Sequence, residues 1–214
     1  MTQLTSVFPP FALRLATPRL VLRPLRDEDI PAAVEAAASG IHERGRNPFS
    51  TPWAESPPDQ LGPGMARWYW QCRANSTPES WSLILGIWHG ETFLGCQDVG
   101  AKDFAILRTV TTGSWLRRDA HGRGFGKEMR AAVALYAFDW LKADAAESEA
   151  AEWNAASLGV SRSLGYELNG VTRVSWGGKA ETVQRVRLIP EDFKRPAWQL
   201  KVEGHGPTAK FLGI

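Results

Sequence analysis

Ser114-Trp-Leu-Arg-Arg-Asp-Ala-His-Gly-Arg-Gly-Phe-Gly-Lys-Glu-Met-Arg-Ala-Ala-Val133 passes from a strand-like stretch through three closely spaced glycines into an amphipathic helix. A strand, a glycine-rich turn and a long helix in that order turn free backbone N–H groups and the positive end of a helix dipole toward one point, which suits a phosphate. Gly122, Gly124 and Gly126 have no Cβ, so the backbone there can bend sharply and approach an anion closely. Arg123 and Lys127 add direct charge, and Arg117, Arg118 and Arg130 make the stretch locally basic against Asp119 and Glu128 alone. The helix is expected over Arg123–Lys142, with Met129, Val133, Tyr136 and Trp140 on one face and Lys127, Arg130 and Asp139 elsewhere. Glycines that merely bend a connector would not need this preceding strand and following helix. A dinucleotide-binding turn would lie near the start of a parallel βαβ unit, whereas this one follows several hairpin-linked strands past mid-chain.

Outward from that segment the chain reads as short strands and helices. Leu20–Leu25 puts Leu20 and Leu22 on one face and Val21 and Arg23 on the other, a strand ending near Pro24. Asp27-Glu-Asp-Ile-Pro31 opens a helix, with Asp27 or Asp29 as cap and Pro31 in its first turn, that stops at Gly40. Ile41 to Pro58 is expected as a long ordered loop whose Phe49 and Trp53 pack on a neighbour. Met65 to Ala74 suggests a helix with Met65, Trp68 and Cys72 on one face. Trp81–Trp88 and Thr92–Val99 form a hairpin around His89-Gly90-Glu91, and a further strand pair is expected at Phe104–Val110 and Thr112–Leu116. Strands at Ala145–Ala150, Tyr166–Ser175 and Thr182–Ile189 and a helix at Ala155–Leu164 complete the order.

The 214 residues, 43% hydrophobic and 22% charged with net charge +2, fit one globular domain, 1–214, and no polyanionic partner such as nucleic acid. Cys72 and Cys96, without a CxxC or a His at ligand spacing, give neither a disulfide framework nor a metal site, so a reducing cytoplasm is expected. No stretch is long and apolar enough to span a bilayer, and no membrane association is expected. Cys96 lies mid-strand without a nearby His and reads as a buried thiol. The ten tryptophans could line an apolar cleft between the Glu43–Trp53 loop and the hairpin near Trp176–Glu181, or serve as core or as a subunit contact, so a homodimer stays open.

Ser114–Val133 resembles the coenzyme A-binding segment of the GNAT superfamily, in particular its RimJ/RimL-type acetyltransferases. The family pattern Gln/Arg-x-x-Gly-x-Gly/Ala falls on His121, Gly124 and Gly126, with Gly122, Arg123 and Phe125 at the variable positions. His121 departs from the usual Gln or Arg, which makes a side-chain contact there sensitive to pH. Downstream, Glu152-Trp-Asn154-Ala-Ala-Ser157 and Arg162-Ser-Leu-Gly-Tyr166 resemble the family's Asn-x-x-Ser helix start and closing Leu-Gly-Tyr/Phe. Read without the family, Asn154 is a natural N-cap, Ser157 sits at N3 and Gly165 ends a helix. The resemblance runs from about Arg14 to Ile189. The extension from about 190 is similar to tails of actinobacterial RimJ/RimL-like members, some of which use succinyl-CoA.

The resemblance implies an α+β GNAT fold: a mixed, mostly antiparallel sheet, splayed where coenzyme A enters, with helices on both faces. It implies acyl transfer from acetyl-CoA or another acyl-CoA to a small-molecule or peptide amine by direct attack, without a metal. The backbone of Trp115, Leu116 and Arg117 would hold the pantetheine arm and polarise the thioester carbonyl. The turn from His121 through Gly122, Arg123, Gly124, Phe125 and Gly126 to Lys127 would hold the pyrophosphate. Ser157 would stabilise or protonate the thiolate and Asn154 would orient the pantetheine, with Tyr166 as the alternative acid. Glu43 and Asp103 are the candidate bases, with a water chain as the alternative to both. A succinyl-CoA-dependent transferase, with Arg44 or Arg46 supplying a basic pocket, and a non-catalytic acyl-CoA-binding module are the alternatives.

Overall fold

The computed structural model describes residues 2–43, 45–176 and 178–214. In chain order the elements are α1 (Leu4–Val7), β1 (Arg14–Ala16), β2 (Val21–Pro24), α2 (Ile30–Ala38), α3 (Pro58–Ala74), β3 (Ser80–His89), β4 (Thr92–Lys102), α4 (Phe104–Leu107), β5 (Thr109–Leu116) and α5 (Phe125–Leu135). After a π-helical turn at Tyr136–Trp140 come β6 (Ala145–Ala151), α6 (Ala155–Leu164), β7 (Glu167–Trp176), β8 (Lys179–Leu188), β9 (Lys201–Glu203) and α7 (His205–Phe211). The strands form one sheet in the order β7-β8-β6-β5-β4-β3-β2-β1-β9. β5 and β6 pair in parallel, with α5 in the crossover between them, and the other pairs with assigned register are antiparallel.

Strand alternation divides the core into two layers. Trp81, Leu83, Leu85 and Ile87 of β3 pack with Phe125, Met129 and Val133 of α5, while Ile84 and Trp88 join Leu61, Met65 and Tyr69 of α3 and Ala33 and Ala37 of α2 on the opposite face. Helices therefore cover both faces of a mixed, mostly antiparallel sheet, as the resemblance implied.

Several expectations need correction. Phe104–Leu107 is a single helical turn held between Asp103 and Arg108, both in the left-handed region, so β5 stands alone where a strand pair was expected. Helix α3 begins at Pro58, which fits the first helical position because its missing N–H has no partner to lose there. Its inward face is Leu61, Met65 and Tyr69 at four-residue spacing, and Trp68 is 58% exposed. Asp29 stands at the start of α2 without capping it. Its buried carboxylate accepts from Arg23 Nη1 and Nη2 at 2.6 and 2.7 Å and from the Arg26 N–H at 2.9 Å, closing the 3-10 turn Asp27–Asp29.

The segment after 190 joins the same sheet. β9 pairs with β1, α7 packs on the Pro9–Ala12 turn, and the His205 ring meets Tyr136 and Trp140 at centroid distances of 5.9 and 5.2 Å. Gly204 makes this docking feasible. Its φ is +71°, and a Cβ there would lie 2.1 Å from the Ala12 carbonyl oxygen. Gly204→Val must displace backbone, so it is expected to cost about 2 kcal/mol or more in chemical denaturation; an unchanged midpoint would show that the extension does not brace the fold.

Candidate active site

β5 keeps one neighbour for its whole useful length and loses the other halfway. It pairs with β4 from Thr111 to Leu116 but with β6 only from Thr109 to Thr112. β6 continues beside β8 as far as Ala151, so a gap opens beyond Thr112. Main-chain groups of successive strand residues point to opposite sides. The Arg117 N–H donates to the Leu94 carbonyl at 2.8 Å, so Arg117, and with it Trp115, turns its main chain toward β4, while Ser114 and Leu116 turn theirs toward the gap. Of the three strand residues expected to hold a pantetheine arm, Leu116 is so placed, and Ser114 joins it. The Arg117 guanidinium is paired with Asp119 at 2.6 Å.

The glycine turn sits beside this gap. Gly124, at φ +80°, is the N-cap of α5, a conformation that would strain a residue with a Cβ. Arg19 ties the turn to the sheet: its Nη1 donates to the Arg123 carbonyl at 3.1 Å, and its Nε to the buried Glu128 carboxylate at 2.6 Å, which also accepts from Thr17 Oγ1 at 2.6 Å. His121, Gly122, Gly124, Gly126 and Lys127 line the cleft. The His121 ring is engaged with the Leu116 carbonyl at 3.0 Å, so this side chain closes the end of β5. The Arg123 guanidinium stacks over the Phe125 ring at 5.0 Å, and Phe125 is buried in the core, so these two side chains shape the turn.

Across the gap stands the start of α6. Asn154 Oδ1 accepts from the Ser157 N–H at 3.1 Å, which makes Asn154 the N-cap, and both residues line the cleft. Tyr166 is buried, and burial raises its hydroxyl pKa; it belongs to the core. Glu43 lies at the exposed rim, 3.9 Å from Arg118, and Asp103 lies in the turn between β4 and α4. Arg46 lies over the Trp153 ring at 5.5 Å, whereas Arg44 falls outside the described residues.

Two charged groups line the cleft where the sequence did not place them: Asp98, which was not singled out, and Arg130, which was expected off the apolar face of the helix. Asp98 on β4 faces Gly113 on β5, and a Cβ at Gly113 would come within 2.8 Å of the Asp98 Oδ1, so the glycine leaves room for the carboxyl. Burial raises the Asp98 pKa to about 6, against the opposing pull of its own and the Gly113 backbone amides and of Arg130. Gln97 steadies the pair, its Nε2 donating to the Gly113 carbonyl at 2.7 Å and the Asp98 carbonyl at 3.1 Å. Arg130 on α5 is 5% exposed; its Nη1 donates to Ser161 Oγ at 2.6 Å, while its Nε has no hydrogen-bond partner among the described residues. The available sequence signal for Asp98 was a lone carboxylate among small and apolar residues, LGCQDVGA. Tyr69 Oη and Cys96 Sγ pair at 3.7 Å beside it, and burial pushes the Cys96 thiol up to about 12, so Cys96 is no nucleophile.

These elements border one open cleft of 1570 Å³, larger than a single small-molecule ligand requires. Among the described residues no group of three His, Cys, Asp or Glu is placed to hold a metal ion, and no helix is long and apolar enough to cross a membrane. Solved structures share the architecture. Mycobacterium smegmatis RimJ in complex with CoA-disulfide superposes with TM-score 0.67 at 16% identity, over 93% of this chain and 92% of that one. RimL, described as a ribosomal L7/L12 alpha-N-protein acetyltransferase in complex with coenzyme A, gives 0.65 at 14% identity, over 81% and 95%. A Vibrio cholerae structure described as a putative ribosomal-protein-serine acetyltransferase gives 0.64 at 17% identity, over 83% and 97%. At such identities the likeness is one of fold. The sequence itself carries the family assignment, because the family model of the acetyltransferase (GNAT) domain matches residues 19–167. That match runs from just ahead of β2 to the first residue of β7, across every element that borders the cleft's gap, and this chain accordingly belongs to the GNAT acetyltransferases, enzymes that draw their acyl group from a coenzyme A thioester.

Proposed function

We propose that the chain moves an acetyl or other short acyl group from its coenzyme A thioester to a primary amine by direct attack. The parting of β5 from β6 carries this reading: Ser114 and Leu116 main-chain groups that lack a strand partner there can hydrogen-bond an extended pantetheine arm in the place β6 vacates. The pyrophosphate then meets the N–H groups from Gly122 to Lys127 at the positive end of α5. A backbone N–H at the gap polarises the thioester carbonyl. Asp98 accepts a proton from the bound ammonium, freeing the lone pair with which the neutral amine attacks the thioester carbonyl; its desolvation makes it a stronger base than an exposed carboxylate. Ser157, in the first turn of α6, stabilises or protonates the departing thiolate, and its cap Asn154 fixes that turn and orients the arm.

A second reading, transfer of a succinyl group, has one observation in its favour. Arg130 is a buried cation with an unpartnered Nε on the cleft wall, and a donor ending in a carboxylate would compensate it.

Three experiments test these readings. Gly126 is a helical residue whose added Cβ would meet Leu116 and Val160 carbons at an ordinary 3.9 Å, and an acidic residue suits a helix N-terminus. Gly126→Glu should therefore keep the melting temperature within about 2 °C while weakening coenzyme A binding roughly tenfold or more, ~1.4 kcal/mol, by calorimetry; unchanged affinity would place the pyrophosphate elsewhere.

For Asp98, ionisation is required, so kcat/KM should rise with pH through about 6. The groups coupled to it are Arg130 from α5, Cys96 on its own strand and Cys72 from α3. Because its folded pKa lies above the usual 3.8, the folded state holds the proton more tightly, and stability falls as pH rises from about 4 to about 6. Asp98→Asn should thus lower kcat/KM by roughly 10²–10⁴-fold and remove the acidic limb while raising stability at pH 8 by about 1–2 kcal/mol. A variant retaining full activity would exclude Asp98 as the base.

Comparing acetyl-CoA with succinyl-CoA decides the donor. A succinyl preference that Arg130→Met reverses by roughly tenfold supports the second reading, and an acetyl preference insensitive to Arg130→Met rejects it.

A further inference from the structure

The cleft divides into two halves of unlike chemistry. The half beside α5 and α6 is polar, with the glycine turn, Lys127, Asn154 and Ser157. The half over the α2–α3 face of the sheet is aromatic. Phe49 meets Trp53 at 5.1 Å and Trp53 meets Trp115 at 5.7 Å, forming one wall from the loop after α2 and from β5. Met65, Trp68 and Tyr69 of α3 line the same half, Met65 and Tyr69 in one apolar cluster with Phe49, Trp53 and Trp115, and Asp98 lines it from β4. Trp68, 58% exposed, is an indole held on the cleft surface where water is its neighbour, an arrangement that gains on contact with an apolar ligand.

Charge completes the description. Four carboxylates border the cleft. Glu147 and Glu149 belong to β6, beyond the gap, and stand opposite Arg187 and Arg185 of β8. Glu43 is at the exposed rim, facing Arg118. Among the described lining residues Asp98 is the carboxylate left on β4 in the aromatic half; at its entrance the His42 ring stands 3.9 Å from Glu55, and Arg46 lies over the Trp153 ring at 5.5 Å. A second ammonium on the same acceptor would leave the aromatic walls for a rim where Glu43 and Glu55 already stand 3.9 Å from Arg118 and His42. A single ammonium, by contrast, finds Asp98 and the faces of Trp53 and Trp115.

We infer that the acceptor of this site is a singly charged primary amine carried on an aromatic or large apolar group, either a free arylalkylamine or a peptide with such an N-terminal residue, and not a polyamine. This rests on the acyltransferase reading above, but binding to the coenzyme A-loaded protein tests it separately from turnover. Phenethylamine, tryptamine, a Phe-led and a Ser-led peptide of otherwise equal sequence, and spermidine would be titrated calorimetrically into the coenzyme A complex, with thiol release from acetyl-CoA followed in parallel. The Phe-led peptide or the arylalkylamines should bind at least roughly tenfold more tightly than the Ser-led peptide and spermidine, and their order distinguishes a peptide from a small-molecule source. Trp68→Ala, at an exposed position, should erase that preference without changing coenzyme A affinity, and Trp68→Glu should shift selectivity toward spermidine. Spermidine or the Ser-led peptide binding as tightly as the apolar amines would overturn the inference, as would a preference unmoved by both Trp68 variants. Selective binding without thiol release from any amine would leave the acceptor chemistry standing and refute the transferase reading instead.

Discussion

The loss of a hydrogen-bonding partner on one side of β5 governs the rest of the structure. Up to Thr112 the strand is held by β4 and β6 together, and beyond it by β4 alone. Backbone amides and carbonyls inside a protein demand partners, so a half-paired strand in the middle of a sheet must be met by water, side chains or a ligand. Here one carbonyl, that of Leu116, is taken by the His121 ring. The remaining edge borders a cleft with the N-terminus of α5 on one side and that of α6 on the other. Coenzyme A, an extended amide-bearing arm with an anionic pyrophosphate, is complementary to an edge of this kind followed by a helix start.

Keeping that gap open requires the neighbours to be fixed independently of it. The bond from Arg117 N–H to the Leu94 carbonyl and the Gln97 amide clamp bind β5 to β4 along its closed side. Glu128, accepting from Thr17 and Arg19, ties the first turn of α5 to the N-terminal strands, and Arg19 in turn holds the Arg123 carbonyl. Rigid support of this kind is what positioning a reacting group to fractions of an ångström requires. The cleft also concentrates electrostatic cost, since Arg130 is buried and Asp98 half-buried without a direct ion pair between them. Groups kept in such costly surroundings at a cleft are characteristic of sites where charge changes during function.

Short-range physics made a large part of this molecule legible in its sequence. The glycine turn, the α6 cap at Asn154 with Gly165 at the other end, and the β3–β4 hairpin all depend on neighbours a few residues away, and each formed where its residues indicated; the helix expected over Arg123–Lys142 instead runs as α5 over Phe125–Leu135 and then a π turn, burying Arg130 and leaving Trp140 exposed. Local rules failed where packing overrode them. Phe104–Val110 has strand-like composition, yet two residues in the left-handed conformation fold its first part into a helical turn. Trp68 fits a helical face with Met65, but the sheet meets α3 along Leu61, Met65 and Tyr69, leaving that indole to the cleft.

The sequence by itself determined the family, the α+β class and the position of the glycine turn ahead of α5, because each is written in contiguous residues whose backbone needs are local. Only the tertiary structure decided which strand residues turn toward the gap, since that depends on where β6 leaves β5, and which carboxylate faces the cleft. Glu43 and Asp103 had the exposed, loop-like settings in which functional carboxylates are sought, while Asp98 reads as the one carboxylate of a mostly apolar strand. Its importance comes from Gly113 across the strand pair and from Arg130 on a distant helix, contacts that exist only once three separate parts of the chain are brought together.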